Sequence, residues 1–399
     1  MVGERKKAIA SLESRIQATV LEDYVMLTRL FGAQAFIFLM SGDLSRAARA
    51  ARQMRTIAEE AHNVDVVAWG DYLVAHVDLQ SFQLEEALRG FMLVAERRSI
   101  VHQKAAVDAL AGLVLAYQAM RRTEDSLATA KQLLEFAQES GNMDSVAVAK
   151  SCRARLALLQ GDLELATSWA QAFEAEPEAI GAIFWLEVPL ITRARVQIEV
   201  GSRASLESAL QSLDALQQQS AALHLTCLTI EIAVLQSMAL QKLGRSDEAL
   251  IVLEEVVALA GPGGWVRPFI EAGPPVADLL KQLQRQKVAV DHIQRILAAI
   301  RDDEQVIVEA AHEQPIASPP QPVRPSVSPQ SLLEPLTNRE LDILELLAQR
   351  LQNKEIAEKL SISPTTVKTH LQNIFQKLQV SNRREAVESA EALGILSRR

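Results

Sequence analysis

Six segments of this 399-residue chain can be laid over one another: SGDLSRAARA, SFQLEEALRG, RRTEDSLATA, QGDLELATSW, RASLESALQS and LGRSDEALIV. Their anchor residues are Ala47, Ala87, Leu127, Ala166, Ala209 and Ala249, separated by 40, 40, 39, 43 and 40 residues. A period near 40 with no strand pattern is the signature of stacked helix pairs, each unable to bury its apolar face alone. Gly42, Gly161 and Gly244 stand five residues before their anchors, where the chain must turn between antiparallel helices. A small anchor side chain lets those two helices approach closely. Aromatic residues make up only 4% of the chain, and the abundant Ala, Leu, Gln and Glu favour helix. The expected product is a solenoid with a concave surface for a ligand or partner.

The repeats resemble tetratricopeptide-type repeats in a longer, more degenerate form. They carry no visible chemistry. The phosphate-cradling pattern G-x-x-x-x-G-K-[ST] is absent, and Gly261-Pro262-Gly263-Gly264 reads as a turn because no strand precedes it and no Lys-Ser/Thr follows. His62, His76, His102, His224, His292 and His312 are scattered, without the spacing of a zinc site. Cys152 and Cys227 are too few for a disulfide framework. Trp169, Phe173, Phe184 and Trp185 read as a locally aromatic core. The chain is therefore expected to be no enzyme and to need no metal or cofactor. Without a membrane span or an apolar signal core, a cytoplasmic location is expected.

Seven of the fourteen prolines fall in EQPIASPPQPVRPSVSPQSLLEP, residues 313–335. Proline cannot donate a backbone hydrogen bond and pushes the residue before it out of helix, so this segment reads as a semi-extended tether. It separates a repeat domain, 1–312, from a small C-terminal domain, 336–399. The whole chain carries a net charge of −9. Residues 331–399 hold ten Lys and Arg against nine Asp and Glu, a net +1, so the remainder carries −10. Between Asn353 and Arg384 six basic residues face two acidic ones. That local excess on an acidic protein points to a polyanion partner whose binding weakens with salt.

The C-terminal domain reads as four short helices. Thr337 and Glu340 suit a capping box before Leu341, Ile343, Leu344 and Leu347, and Asn353 suits the cap of a helix carrying Ile356, Ala357 and Leu360. Ser361-Ile362-Ser363 is a tight turn, after which Ser363 caps a third helix with Pro364 at its first position. Asn382 and Glu385 suit a further capping box. Two short helices around a three-residue turn form a helix-turn-helix. At 100° per residue, Val367, Leu371, Ile374 and Leu378 share the inner side of the third helix. Thr365, Lys368, Thr369, Gln372 and Gln376 share the other, and no acidic residue occurs from Ser361 to Leu378. Such a face suits the major groove: lysine can donate to guanine, glutamine can pair with adenine, and threonine can touch a thymine methyl.

The run LTNRELDILELLAQRLQNKEIAEKLSISPTTVKTHLQNIFQKLQVSNRREAV resembles the LuxR-type (GerE) DNA-binding domain. The matching elements are Leu336-Thr337-x-Arg339-Glu340, Asn353-Lys354-Glu355-Ile356-Ala357, Thr366-Val367-Lys368-x-His370, Asn373-Ile374 and Lys377-Leu378. Arg350 and Gln379 stand where that family usually has glycine. The resemblance implies binding to double-stranded DNA, with Thr365, Lys368, Thr369 and Gln372 reading bases and Thr337, Lys354, Lys377 and Arg383 reaching phosphates. It also implies a homodimer on DNA, through Ala386, Val387, Ala390 and Leu393, and activation of transcription by RNA polymerase. Those four residues fit equally a fourth helix buried against its own head.

The stretch Gly264-Trp265-Val266-Arg267-Pro268-Phe269-Ile270-Glu271, followed by Gly273-Pro274-Pro275, is similar to the end of the helical-repeat domain in large MalT-like LuxR regulators. Those regulators carry a nucleotide-binding module toward the N-terminus. This sequence shows none, whether it is a shortened member or the C-terminal part of a longer product, so ATP-dependent switching is not carried over. The expectation is an all-α bacterial transcription regulator: a tetratricopeptide-like solenoid followed by a four-helix LuxR-type helix-turn-helix domain. A small molecule or protein at the repeats would control the head. The rival expectation is a scaffold that recruits partners to DNA without sensing a small molecule.

Overall fold

The computed structural model describes residues 2–19, 23–98, 101–173 and 186–312. In the C-terminal part it describes residues 343–344, 346–348, 351–359, 367, 371, 374, 380 and 383–392. Every regular element among them is helical. The chain divides into two compact units, Met1–Pro315 and Ile316–Arg399.

The first unit is a stack of antiparallel helices: α1 Val2–Ala18, α2 Tyr24–Met40, α3 Leu44–Glu60, α4 Val64–Gln80, α5 Leu84–Glu96, α6 Gln103–Ala119, α7 Thr123–Glu139, α8 Met143–Leu159 and α9 Leu163–Ala172. It continues with α10 Pro189–Val200, α11 Arg203–Ala222, α12 Thr226–Lys242, α13 Ser246–Ala260, α14 Arg267–Glu271, α15 Gly273–Arg285 and α16 Val290–His312. One turn design recurs. The second residue after a helix adopts the left-handed conformation, and the next residue caps the following helix. Gly42, Gly141 and Gly161 have φ of +77°, +68° and +81°, and Asp43, Asn142 and Asp162 behind them accept the backbone N–H groups of Arg46, Ser145 and Leu165. At Gly42 the turn closes with Gly42 N–H donating to Leu39 and Asp43 N–H to Phe38, the latter at 2.9 Å. These bonds satisfy carbonyls that the end of a helix would otherwise leave open.

The repeat register differs from the sequence expectation at one anchor. Ala47, Ala87, Ala166, Ala209 and Ala249 are buried, but Leu127 is 51% exposed. Ser126 takes the anchor position, fully buried, with its hydroxyl donating to the Val114 carbonyl of the preceding helix. A serine can fill this place because that carbonyl removes the cost of burying its hydroxyl. The GPGG run is a turn, as the sequence implies: a 3-10 turn over Gly261–Gly263 with Gly264 left-handed.

The solenoid closes on itself, which the repeat spacing does not reveal. Residues 263–267 run back to the first two helix pairs. The Trp265 indole donates to the Gly42 carbonyl at 2.8 Å, the Val266 N–H to the Gln80 carbonyl at 3.0 Å, and Arg267 Nε to Gln80 Oε1 at 2.9 Å. Trp265 is only 1% exposed. Gly263 lies so close to Gly42 that a Cβ there would come within 1.8 Å of the Gly42 oxygen.

The second unit is built around Ile343, Leu344, Leu347, Ile356, Ala357, Val367, Leu371, Ile374, Ala386 and Ala390. Its described helices include α17, Asn353–Lys359, and α18, Arg383–Ala392.

Two substitutions in the repeat domain should move stability in opposite directions. Gly263→Ala must displace the closing segment and should cost about 1–3 kcal/mol, the usual penalty of overpacking. His62 is exposed and left-handed at φ +53°. Relief of that strain, less the extra chain entropy of glycine, should make His62→Gly stabilising by about 0.5–1 kcal/mol. Urea unfolding of both variants checks the pair.

Candidate functional site

The helix-turn-helix unit derives its geometry from a small apolar centre. Val367, Leu371 and Ile374 recur at the i, i+4, i+7 spacing of one helix face and are buried together with Ile356 and Ala357. The inner face expected from the sequence is thus found at these positions. Leu378 lies outside the described residues, as do the base-reading candidates Thr365, Lys368, Thr369 and Gln372, and the phosphate candidates Thr337 and Lys377.

Lys354 is exposed on α17. Arg383 is exposed at the start of α18, and its guanidinium donates to the Leu351 carbonyl at 2.6 Å and to Asn353 Oδ1 at 3.3 Å. Arg383 therefore ties the last helix to the turn that leads into α17, and brings two basic residues to one end of it. Asn353 is the first residue of α17 and not its cap. Gln352 precedes the helix; its N–H donates to Glu355 at 2.6 Å and its carbonyl accepts from Ile356. That is the backward-reaching half of a capping box, so the cap stands one residue earlier than the Asn353 expected from the sequence. On α18, Ala386 and Ala390 are fully buried in the head's own core, Val387 is half-buried against it, and Leu393 is outside the described residues.

The repeat domain holds a second polar assembly, which sequence reasoning missed. Six charged side chains from distant repeats meet at its centre. Arg155 Nη1 lies 3.0 Å from Glu187 and its Nη2 contacts Glu271. Arg195 contacts Glu231, and Arg267 lies 3.0 Å from Glu271 and 3.6 Å from Glu231. Ser151 and Thr192 both donate to Glu187 Oε1. Burial alone would raise Glu271, but Arg155, Arg267 and Arg195 outweigh it and hold the carboxyl down to about 2. The same opposition keeps Glu231 below its ordinary value. Burial also disfavours the charged Arg155, yet Glu271, Glu187 and Glu231 hold its pKa above the usual range. Arg155, Glu231 and Glu271 are thus held charged by their partners.

Beside this cluster Tyr72 donates to Asp108, which also accepts the Leu186 N–H at 2.8 Å. Burial pushes Asp108 up to about 7 against those two hydrogen bonds. His76 lies 3.4 Å from the Tyr72 hydroxyl and 3.3 Å from Gln80, and burial reinforced by Arg267 lowers it to about 3. Asp108 and Glu231 interrupt apolar helical runs, in AAVDALAGLVLA and CLTIEIAVL. A lone charge between buried neighbours was the available signal. Elsewhere, Trp169 and Phe173 stack at 5.1 Å, while Phe184 and Trp185 lie outside the described residues. No cluster of metal-ligating side chains occurs among the described residues, and no helix among them is long and apolar enough to cross a membrane.

Comparison with known proteins gives both units a family. Residues 1–286 match the family described as MalT-like TPR region, and residues 334–390 match the one described as bacterial regulatory proteins, luxR family. Similar relatives include the HTH-type transcriptional regulators MalT of Yersinia pestis (strain Pestoides F) and Yersinia pseudotuberculosis serotype O:3 (strain YPIII). Each is 30% identical over 239 residues, covering 59% of this chain and 26% of the relative. The regulator of that name from Yersinia enterocolitica serotype O:8 / biotype 1B (strain NCTC 13174 / 8081) is 29% identical over the same lengths. The chain spans about a quarter of the length of these curated relatives.

The buried charges set an acid limit on the repeat domain. An unfolded chain takes up protons on histidine near 6.5 and on glutamate near 4.5, whereas here His76 waits until about 3, His292 until about 4 and Glu271 until about 2. Below pH 6.5 the unfolded state therefore binds more protons through these groups, and their contribution to stability is lost as pH falls. Asp108 opposes this, because the folded state binds its proton first, below about 7. The thermal midpoint of the repeat domain should fall from pH 6.5 to 4, and fall less in His76→Gln. Arg155→Ala leaves the buried Glu187 without its guanidinium partner and takes one from Glu271 and Glu231, and should cost about 3–5 kcal/mol at neutral pH, by calorimetry.

Proposed function

The chain belongs to the family of the MalT-like TPR region, and from that premise we propose that it is a sequence-specific, DNA-binding transcriptional activator. The LuxR-family match over residues 334–390 carries this reading, and the buried stripe Val367, Leu371, Ile374 supports it. Thr365, Lys368, Thr369 and Gln372 would read base edges, where lysine and glutamine offer the donors that guanine and adenine accept. Thr337, Lys354, Lys377 and Arg383 would hold the backbone and set the register. Ala386 and Ala390 are already committed to the head's own core, so Val387 and Leu393 would carry the contact between two heads. Two linked heads on a palindromic site gain from effective concentration, which one head lacks. RNA polymerase would be recruited to the bound dimer.

Control would come from the repeat domain, through a ligand or protein that prefers one of its states. An effector with equal affinity for both would shift nothing. The expected site of action is in the cytoplasm.

Selection from a random duplex pool at one stated salt concentration tests the reading. Wild type should enrich a defined motif, and the Lys368→Ala/Gln372→Ala variant should lose it. Lys354→Ala should keep the motif while the slope of log affinity against log salt falls by about 1. Retention of the same motif by the double variant would remove the third helix from base reading.

A further inference from the structure

The first and last parts of the repeat domain meet at a cleft of about 830 Å³. One wall is α3 with the turn from α4 to α5, the floor is the closing segment at Gly263 to Val266, and the other wall is α16. The volume falls within the roughly 300–1,000 Å³ of small-molecule sites. Three guanidinium groups line it, Arg49 and Arg52 one turn apart on α3 and Arg295 on α16, together with the carboxylates Asp78, Glu85 and Asp302. Among the described residues no ion pair within 4.0 Å is formed by any of these six, in contrast to the ion-paired cluster at the domain centre. Leu44, Val77 and Phe82 add apolar surface between the charges.

We propose that this cleft binds a zwitterionic small molecule of the amino-acid or short-peptide class. Its carboxylate would lie on the arginines, its ammonium on the acidic residues, and its side chain on the apolar wall. The sum of the lining charges decides the class. A purely anionic ligand would face three carboxylates and a purely cationic one three guanidinium groups, whereas a molecule carrying both signs finds partners for each. The site deepens the reading that an effector controls the repeat domain, and rests on it for its purpose. Arg295 supplies the link. It donates to His292 Nδ1 at 3.2 Å, and since arginine can only donate, Nε2 must carry the ring hydrogen. His292 packs edge-on to Phe269 beside the closing segment and against Gly261. A ligand that draws on Arg295 therefore acts on α16, after which the sequence runs into the proline-rich residues 313–335.

Native mass spectrometry and thermal unfolding of the full chain without DNA test this. The probes are the twenty free amino acids and the dipeptides made from them, each at about 1 mM, the weak end of specific affinity. At least one should add with 1:1 stoichiometry and raise the unfolding midpoint. The same probe with its amine acetylated and its carboxylate amidated should not bind. Arg49→Gln and Asp302→Asn should each weaken binding about tenfold, the loss of one charge-assisted hydrogen bond. No adduct from any probe, or equal binding of the blocked and free forms, overturns the proposal. Both outcomes are read on the wild-type protein, so a variant that fails to fold leaves the test standing. No DNA is present, so failure here leaves the DNA-selection result untouched, and failure there leaves this one.

Discussion

Arg155, Arg195 and Arg267 facing Glu187, Glu231 and Glu271 is the contact on which the shape of the repeat domain depends. Stacked helix pairs are quasi-one-dimensional: each repeat touches its neighbours, and stability is close to a sum of local terms. Here a guanidinium on α8 meets a carboxylate on α14, 116 residues later, and the Trp265 indole reaches back 223 residues to Gly42. Such links couple repeats that would otherwise depend only on their neighbours. Their net contribution to stability is small, because stripping water from six charges costs about what the pairing returns. Their larger effect is on register. Apolar side chains of similar volume could fill the same space, but they would accept many relative placements of the helices. An arginine between three carboxylates accepts few.

The repeat was legible because its signals are local. A small anchor every 40 residues and a glycine at some turns can be counted without knowing what packs on what. The same logic explains the errors. Overlaying the segments puts the anchor at Leu127, while the position is filled by Ser126, whose hydroxyl the Val114 carbonyl satisfies. Glycine marks the left-handed turns at 42, 161 and 244, yet His62, Phe82, Arg121 and His224 adopt that conformation elsewhere. A turn forced by packing on both sides tolerates the strain of an L-residue and leaves no mark in composition. Ring closure was illegible for a related reason. Periodicity reports which helices are neighbours in sequence, and says nothing about how far the stack winds before it meets itself.

The head presents the opposite case. Its core positions were readable one by one, since a domain this small has few ways to bury Ile343, Leu344, Ile356, Val367 and Ile374 together. What spacing could not separate was burial from partnership. Ala386 and Ala390 sit on a face that would suit another head or their own, and the inner core takes them. Their size is the physical clue. An alanine buries little area at an exposed interface, but it permits the close approach of two helices in a crowded core. Arg383 shows the same ambiguity for charge. It reads as a phosphate contact, but part of its hydrogen-bonding capacity is given to Leu351 and Asn353. Its five donors and rigid plane allow both roles together, so a lysine there would not be equivalent.

Closure also determines how a local change spreads through the repeat domain. In an open solenoid a ligand on one repeat perturbs its neighbours, and the effect decays along the stack. In a closed one the ends share a boundary, so a local change at the Gly42–Trp265 contact is felt at once by α2, α4 and α16. That boundary is held by the hydrogen bonds of Trp265, Val266 and Arg267 and by a core that Trp265, Val266, Phe269 and Ile270 share with the first helices. The central charges behave differently. Removing Arg155 would leave Glu187 buried without its guanidinium partner, a cost beyond what a small ligand supplies. Arg267 belongs to both, since it pairs with Glu231 and Glu271 and also donates to Gln80, so the charged centre and the seam are mechanically joined.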